Sequence, residues 1–200
     1  AFMSVISNAR RAVTAAAGFA ALGLSACGTV SNPLAPEEPN PGPCPNALSL
    51  YDAHRLVEFP GGDEVVFANV GYTGEILDVV SFCTYTDARP TPIDMDVGVR
   101  FAFGRGPSAE GRTHTYRYFV AVTRIDRVVI DKVEYEIPVR FEPGEDRVEV
   151  TEQIEGLKIP RATAETSGGN FEVIVGFVLT DEQIDFNRQG LRFRIDAGQD

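Results

Sequence analysis

The chain has 200 residues, 44% of them hydrophobic and 24% charged, so it can bury the core of one domain. This composition, without a collagen repeat or a long heptad pattern, excludes the collagen-like, coiled-coil and wholly disordered classes. The formal net charge of −11 argues against nucleic acid or an anionic membrane surface as the main partner, because both attract Lys and Arg.

Residues 1–26 have the order of a secretory signal peptide. Arg10 and Arg11 form a basic region, an apolar segment without charges runs from Ala12 to Leu24, and small residues follow it. As a helix this segment would span about 20 Å, short of the roughly 30 Å hydrocarbon core, so a permanent transmembrane anchor is disfavoured. The arginine pair leaves the general and the twin-arginine export routes both open.

The signal segment ends in the tetrad Leu24-Ser25-Ala26-Cys27. This tetrad resembles the lipobox of bacterial lipoprotein precursors. The resemblance implies cleavage before Cys27 and a covalent lipid on its thiol, which is the only cofactor that we expect. Gly28 stands where an Asp would retain such a protein in the inner membrane, so the resemblance implies a lipid anchor in the outer membrane, with the body periplasmic or surface-exposed.

Residues 27–46 form a predicted linker behind the lipidated cysteine. Proline at this density cannot form a helix or pair in a sheet and favours an extended polyproline II conformation. The segment contains Pro33, Pro36, Pro39, Pro41, Pro43 and Pro45.

The cysteine count agrees with export. If Cys27 carries lipid, Cys44 and Cys83 remain as a pair, and an oxidising compartment favours their joining in a disulfide. The bridge would attach the end of the linker to a predicted strand.

The body, residues 47–200, consists of segments in which apolar and polar residues alternate, separated by Gly- and Pro-rich turns. Six or more such strands with almost no helix between them predict an all-β, antiparallel, immunoglobulin-like sandwich. Gly71 and Gly74 indicate a bulge or a break in the first of them. The predicted strands are Val65–Thr84, Ile93–Phe103, His114–Thr123, Val128–Phe141, Arg147–Ile154 and Phe171–Leu179.

One short C-terminal helix is predicted from its caps. Thr180 is a favourable N-cap and Gln183 completes a capping box, so the helix should cover Asp181–Gln189, before the turn at Gly190. Leu191–Ile195 could add a last strand.

The sequence offers no catalytic or metal-binding pattern, so we expect no enzyme. His54 and His114 are far apart in sequence, and His114 continues a strand face, which favours a structural role. Asp94 and Asp96 share a face with Arg100, which is typical of a solvated surface rather than of paired catalytic carboxylates. An acidic surface site for calcium stays open, although no calcium-loop pattern is present.

The last long strand is apolar on both faces. Ile174 and Val178 lie opposite its main apolar face, and Phe119 is placed in the same way on its own strand. Such strands need cover on both sides. Either the C-terminal helix covers Phe119, Ile174 and Val178, or these residues form a docking surface for a protein partner.

The body also resembles the uncharacterised exported lipoproteins of Gram-negative bacteria, a resemblance that implies no activity. We therefore expect an outer-membrane lipoprotein that acts as a structural or interaction module of an envelope assembly. The alternative is a sandwich that binds a glycan or cell-wall ligand, for which tyrosines would have to supply the stacking platform because Trp is absent. The candidate platforms are Tyr51, Tyr72, Tyr85 and Tyr135.

Overall fold

A computed structural model of the chain describes residues 42–62, 64–85 and 91–193. The predicted signal peptide, Cys27 and most of the predicted linker lie outside these residues.

The described chain is an all-β sandwich of two four-stranded sheets, which confirms the predicted fold class. The first sheet has the order β1-β8-β5-β6 and the second the order β2-β3-β4-β7. Every pairing is antiparallel except that of β1 with β8. The strands are β1 Asn46–Ser49, β2 Arg55–Val57, β3 Tyr72–Tyr85, β4 Ile93–Arg105, β5 Thr113–Arg124, β6 Val129–Arg140, β7 Arg147–Ile159 and β8 Phe171–Phe177.

The chain passes from the first sheet to the second between β1 and β2. β1 pairs with β8 in the first sheet, a 3-10 helix at Tyr51–Ala53 follows, and β2 pairs with β3 in the second sheet. β1 is thus an edge strand of the first sheet and β2 an edge strand of the second, and the 3-10 helix between them links the two sheets. β1 begins at Asn46, one residue before the predicted start of the domain.

Alternation along β4 and β5 builds the core, because every second side chain of each strand points between the sheets. The Phe103 and Tyr116 rings stack across the sheets with centroids 4.1 Å apart, and Tyr118 meets Phe101 edge-on at 5.0 Å. Phe177 from β8 completes this layer above Gly74, where a Cβ would lie 2.8 Å from the Phe177 Cζ atom. The largest fully buried side chains are Tyr116, Tyr118, Phe101, Phe103, Phe141, Phe177, Ile93, Met95 and Ile159.

The predicted Val65–Thr84 strand is wrong in its first part. β3 begins only at Tyr72, directly after Gly71. The residues before Gly71 are not in a strand and contain a 3-10 helix at Phe67–Asn69. Val70 is buried there in a separate small cluster with Val57 and Phe186. The apolar side chain of Val70 therefore packs in this cluster and not in the core between the sheets.

The predicted helix is confirmed as α1, Asp181–Arg188. Thr180 Oγ1 accepts a hydrogen bond from the Gln183 N–H at 3.3 Å, and Gln183 Oε1 accepts one from the Thr180 N–H at 2.9 Å. Both halves of the capping box are thus present. Residues 191–193 are not in a strand, and the rest of the predicted last strand lies outside the described residues.

The immunoglobulin-like topology stays a prediction. In that fold the last two strands form a hairpin within one sheet. Among the strands that the structure describes, β8 instead lies between β5 and the parallel β1.

The buried tyrosines predict a loss of stability in alkali. Burial raises the pKa of Tyr116 and of Tyr118 above the usual value of 10.0. The unfolded chain therefore releases these protons first. Stability is retained below about pH 10 and falls above it, by at most about 1.4 kcal/mol per pH unit for each tyrosine.

Urea unfolding between about pH 9 and pH 12 measures this effect. Tyr116→Phe and Tyr118→Phe should each reduce the fall in unfolding free energy, with Tyr51→Phe, at an exposed ring, as the matched control. Equal alkaline slopes in the wild type and both core variants would contradict this account.

Candidate functional site

A disulfide attaches the end of the predicted linker to the body. Cys44 and Cys83 lie with their Sγ atoms 1.96 Å apart and their Cα atoms 5.7 Å apart, as the sequence predicts. The neighbouring Tyr85 hydroxyl donates to the Pro43 carbonyl at 2.9 Å and accepts from the Gly168 N–H at 2.6 Å. The segment before β1 is therefore held at a fixed place, next to the start of β8.

Loss of this bridge should destabilise the fold. The disulfide joins residues with a sequence separation of 39. From the entropy that such a loop removes from the unfolded chain, the bridge stabilises the fold by about 4 kcal/mol. We expect the double variant Cys44→Ser, Cys83→Ser to lose about this much unfolding free energy in urea titrations. Reduced wild-type protein should match the variant, and an unchanged urea midpoint in both would refute the prediction.

The predicted partner surface lies on the outer face of the first sheet. Ile174 is registered between Leu48 of β1 and Ala121 of β5, in the middle of this face. Phe119 is registered with Gly176, and Val178 follows the end of β8. Phe119, Ile174 and Val178 are all half-buried, so the structure leaves part of each side chain accessible.

Phe119 and Val178 line a cavity of about 260 Å³, here called the helix-side cavity, whereas Ile174 lies outside it. The ring of Phe119 packs over Gly176, where a Cβ would lie 2.8 Å from the Phe119 Cζ atom and from the Ala53 Cβ atom. The remaining wall consists of Leu50, Asp52, Ala53, Lys132, Phe177, Leu179, Ile184 and Arg188.

Charged side chains surround the apolar floor of the helix-side cavity. The Lys132 ammonium lies 4.7 Å from the centre of the Phe119 ring and 3.1 Å from Glu134 Oε1. Arg188 Nε lies 2.9 Å from Asp52 Oδ2. An apolar centre with a charged rim is the usual anatomy of a protein interface.

Helix α1 packs against the 3-10 helix Tyr51–Ala53 and β2, and forms part of the wall of the helix-side cavity. Its Asn187 amide donates to the Asp52 and Arg55 carbonyls at 2.8 and 2.9 Å, and Gln183 Nε2 donates to the Val57 carbonyl at 3.1 Å. These bonds hold α1 against β2 and the 3-10 helix before it. The helix reaches the cavity through Ile184 and Arg188, and Ile174 is not among the residues that line this cavity.

The residues weighed for chemistry have structural partners. His114 stacks on Tyr72 at 4.1 Å, with its Nε2 atom 3.2 Å from Glu58 Oε1. Asp94 pairs with Lys158, and Asp96 accepts a hydrogen bond from the Gly156 N–H at 2.8 Å.

The four candidate tyrosines do not form a shared platform. Tyr72 is buried, and the Tyr85 hydroxyl donates a hydrogen bond to the Pro43 carbonyl at the end of the linker. Tyr135 stacks on the core residue Tyr118 with ring centres 5.2 Å apart. Tyr51 is exposed and lies on the 3-10 helix before β2. The structure therefore offers little support for a stacked glycan on these rings.

A second cavity, of about 690 Å³, lies at the end of the sandwich that holds the disulfide, and sequence reasoning did not anticipate it. We call it the tip cavity, because one wall is the β5–β6 turn. Its lining comes from three separate segments of the chain. They contribute Arg124, Ile125, Asp126 and Ile130; Pro160, Arg161, Ala162 and Thr166; and Asn170 and Phe171.

A signal for the tip cavity is present in the sequence, because the β5–β6 turn and the first residues of β6 are unusually apolar. Polar residues normally form such turns. Here the apolar side chains from Ile125 to Val133 remain between 38% and 60% exposed: Ile125, Val128, Val129, Ile130 and Val133.

Comparison with known proteins finds no matching family model, no similar curated protein and no similar solved structure. Within the described residues, no group of three or more His, Cys, Asp and Glu side chains could hold a metal ion. In the same part of the chain, no helix has the length and apolarity needed to cross a membrane.

Proposed function

We propose that this chain is an outer-membrane lipoprotein whose sandwich acts as an interaction or structural module of an envelope assembly. The tetrad Leu24 to Cys27 supports the anchor, because it matches the pattern at which lipoprotein precursors are lipidated and cut. The disulfide between Cys44 and Cys83 supports export, because such bonds persist in oxidising compartments.

The observation that supports a protein interaction is the helix-side cavity. It joins the half-buried Phe119 and Val178 to the exposed Leu50, and charged side chains surround it. An apolar side chain of a protein partner would fill the cavity, while polar residues of the same partner would meet Lys132, Asp52 and Arg188.

Lipidation is tested by growing cells with a labelled fatty acid and isolating the protein from the envelope. Label should be incorporated into the wild type and should be absent from Cys27→Ala, because the thiol is the acceptor. The double variant Cys44→Ser, Cys83→Ser is the matched control and should keep the label. A wild-type protein without label, whose intact mass shows no lipid, would refute the anchor.

The interaction surface is tested by site-specific photocrosslinking in intact cells. A photoreactive residue at Leu50, on the rim of the cavity, should give a defined adduct with a partner. The same residue at Val80, which is 56% exposed on the other sheet, is the matched control and should give none.

Phe119→Ala should remove the adduct at position 50, because an aromatic anchor at an interface centre contributes about 2 kcal/mol or more to binding. Its melting temperature should stay close to that of the wild type, since Phe119 is not fully buried. A large drop in melting temperature would mean that Phe119 serves the fold, and an adduct that persists in Phe119→Ala would refute the docking role.

A further inference from the structure

We propose that the free edge of β6 pairs with β6 of a second copy of this chain, so that two sandwiches form a dimer with one continuous sheet. The dimer does not depend on the proposed function, because it needs neither the lipid anchor nor another envelope protein. It shares Lys132 with the helix-side cavity, but its centre lies at Val133, which does not line that cavity.

β6 is a long strand with a neighbour on one side. It runs for 12 residues at the edge of the first sheet, opposite β1, and within the described part of the chain it pairs with β5 alone. One row of its main-chain N–H and C=O groups is therefore left for another strand. The addition of a strand to such an edge is a recurring mode of protein association.

Hydrogen bonds identify the residues whose main chain faces the free edge. The Lys132 N–H donates to Asp131 Oδ1 at 2.9 Å and not to β5. The Arg117 carbonyl, opposite Glu136, accepts from the Val178 N–H at 3.0 Å, on the other side of β5. Because the direction of these groups alternates along a strand, the even-numbered residues from Lys132 onward face the free edge.

Pro138 limits the usable edge. It belongs to the same even-numbered series, so the N–H that it lacks would have faced outward and no bond to β5 is lost. At the other end, the register with β5 shifts between Val122 and Thr123, opposite Asp131 and Val129. The regular free edge therefore lies between this shift and Pro138, with Val133 and Glu134 near its middle.

Exposed apolar side chains distinguish β6 from the other long edge strand. Val133 is registered with Val120 and so points toward the facing sheet, yet it is 40% exposed where Val120 is 3% exposed. Val129, on the same strand, is 58% exposed. Along β7, the long edge of the second sheet, every large apolar side chain is buried or half-buried. Pairing at β6 would thus bury apolar surface that is now in water.

The charges along β6 favour one register for the pairing of two copies. With the two Val133 residues facing each other at a two-fold axis, Lys132 lies opposite Glu134 of the second copy, and Glu134 lies opposite its Lys132. A pairing centred on Lys132 or on Glu134 would instead place two like charges directly opposite each other, which is destabilising. The charge pattern therefore specifies antiparallel pairing centred on Val133.

This register keeps the ion pairs that each chain already has. Glu134 Oε1 lies 3.1 Å from the Lys132 ammonium, and Oε2 lies 2.7 Å from Arg117 Nη2. The second copy brings the same pair beside the first, so that positive and negative groups alternate across the axis. The charges set the register, whereas the main-chain hydrogen bonds and the Val133 contact hold the two strands together.

The first test is a covalent one, on the purified full-length chain carrying Cys27→Ser, here called the parent chain. Its remaining two cysteines form the Cys44–Cys83 disulfide, so no other thiol is present. Val133→Cys in the parent chain should give a disulfide-linked dimer on mild oxidation. Residues that face each other without exchanging hydrogen bonds have Cα atoms about 4.5 Å apart, within the range that a disulfide spans.

Val129→Cys is the matched control for this test. Position 129 is more exposed than position 133 and lies on the same strand, so random collisions would oxidise it at least as readily. In the proposed register the two copies of position 129 lie at opposite ends of the pairing, and this variant should stay monomeric.

The second test is sedimentation of the parent chain over a range of concentrations. Lys132→Glu should weaken dimerisation about tenfold, because two pairs of opposite charges become pairs of like charges. Glu134→Lys should have the same effect. An equimolar mixture of these two variants should dimerise again, since every facing pair is then of opposite charge. Lys158→Glu makes the same charge change on β7 and should dimerise as the parent chain does.

Melting temperatures close to that of the parent chain would show that the variants are folded, as expected for exposed positions. A parent chain that stays monomeric up to about 1 mM would overturn the proposal. So would equal disulfide formation at positions 129 and 133, or a mixture of the two charge variants that stays monomeric. Dimerisation that is unchanged in Lys132→Glu would place the contact on another surface and would overturn it as well.

Discussion

The aromatic layer between the two sheets is the contact on which the rest of the structure depends. Phe101 and Phe103 from the second sheet meet Tyr116, Tyr118 and Phe177 from the first. Because protein interiors pack as densely as organic crystals, these rings determine how far apart the sheets lie. Where the ring of Phe177 approaches the facing sheet most closely, Gly74 supplies the space. The outer faces and the two cavities take their positions from this separation.

The long strands were predictable because alternation is a strong signal over ten or more residues. β1 and β2 were missed, since strands of four and three residues are too short to show a period. β7 was predicted to end at Ile154 but continues to Ile159. Its register shifts opposite Asp96, and Gly156 takes a positive φ of 70° there, so the alternation breaks although the pairing does not.

The candidate sites were predictable only in part. Phe119, Ile174 and Val178 were recognised because apolar residues on the outer face of a strand are unusual. Which of them line the helix-side cavity depends on where α1 lies, because Ile184 and Arg188 of α1 form part of its wall. α1 binds β2 through Gln183 and Asn187, side chains that no period reveals. The tip cavity combines segments from the β5–β6 turn, the β7–β8 connection and the start of β8. Tertiary structure alone brings them together.

The position of the disulfide has a mechanical consequence. Cys44 precedes β1, and its partner Cys83 lies near the end of β3, a strand of 14 residues that pairs with β4 along almost its whole length. A force that pulls on the chain ahead of Cys44 therefore passes through the covalent bridge into β3. This route bypasses the four residues of β1 and their parallel pairing with β8. A body held in this way resists a pull on its edge strand, because many hydrogen bonds of the second sheet would have to shear together before β3 moves.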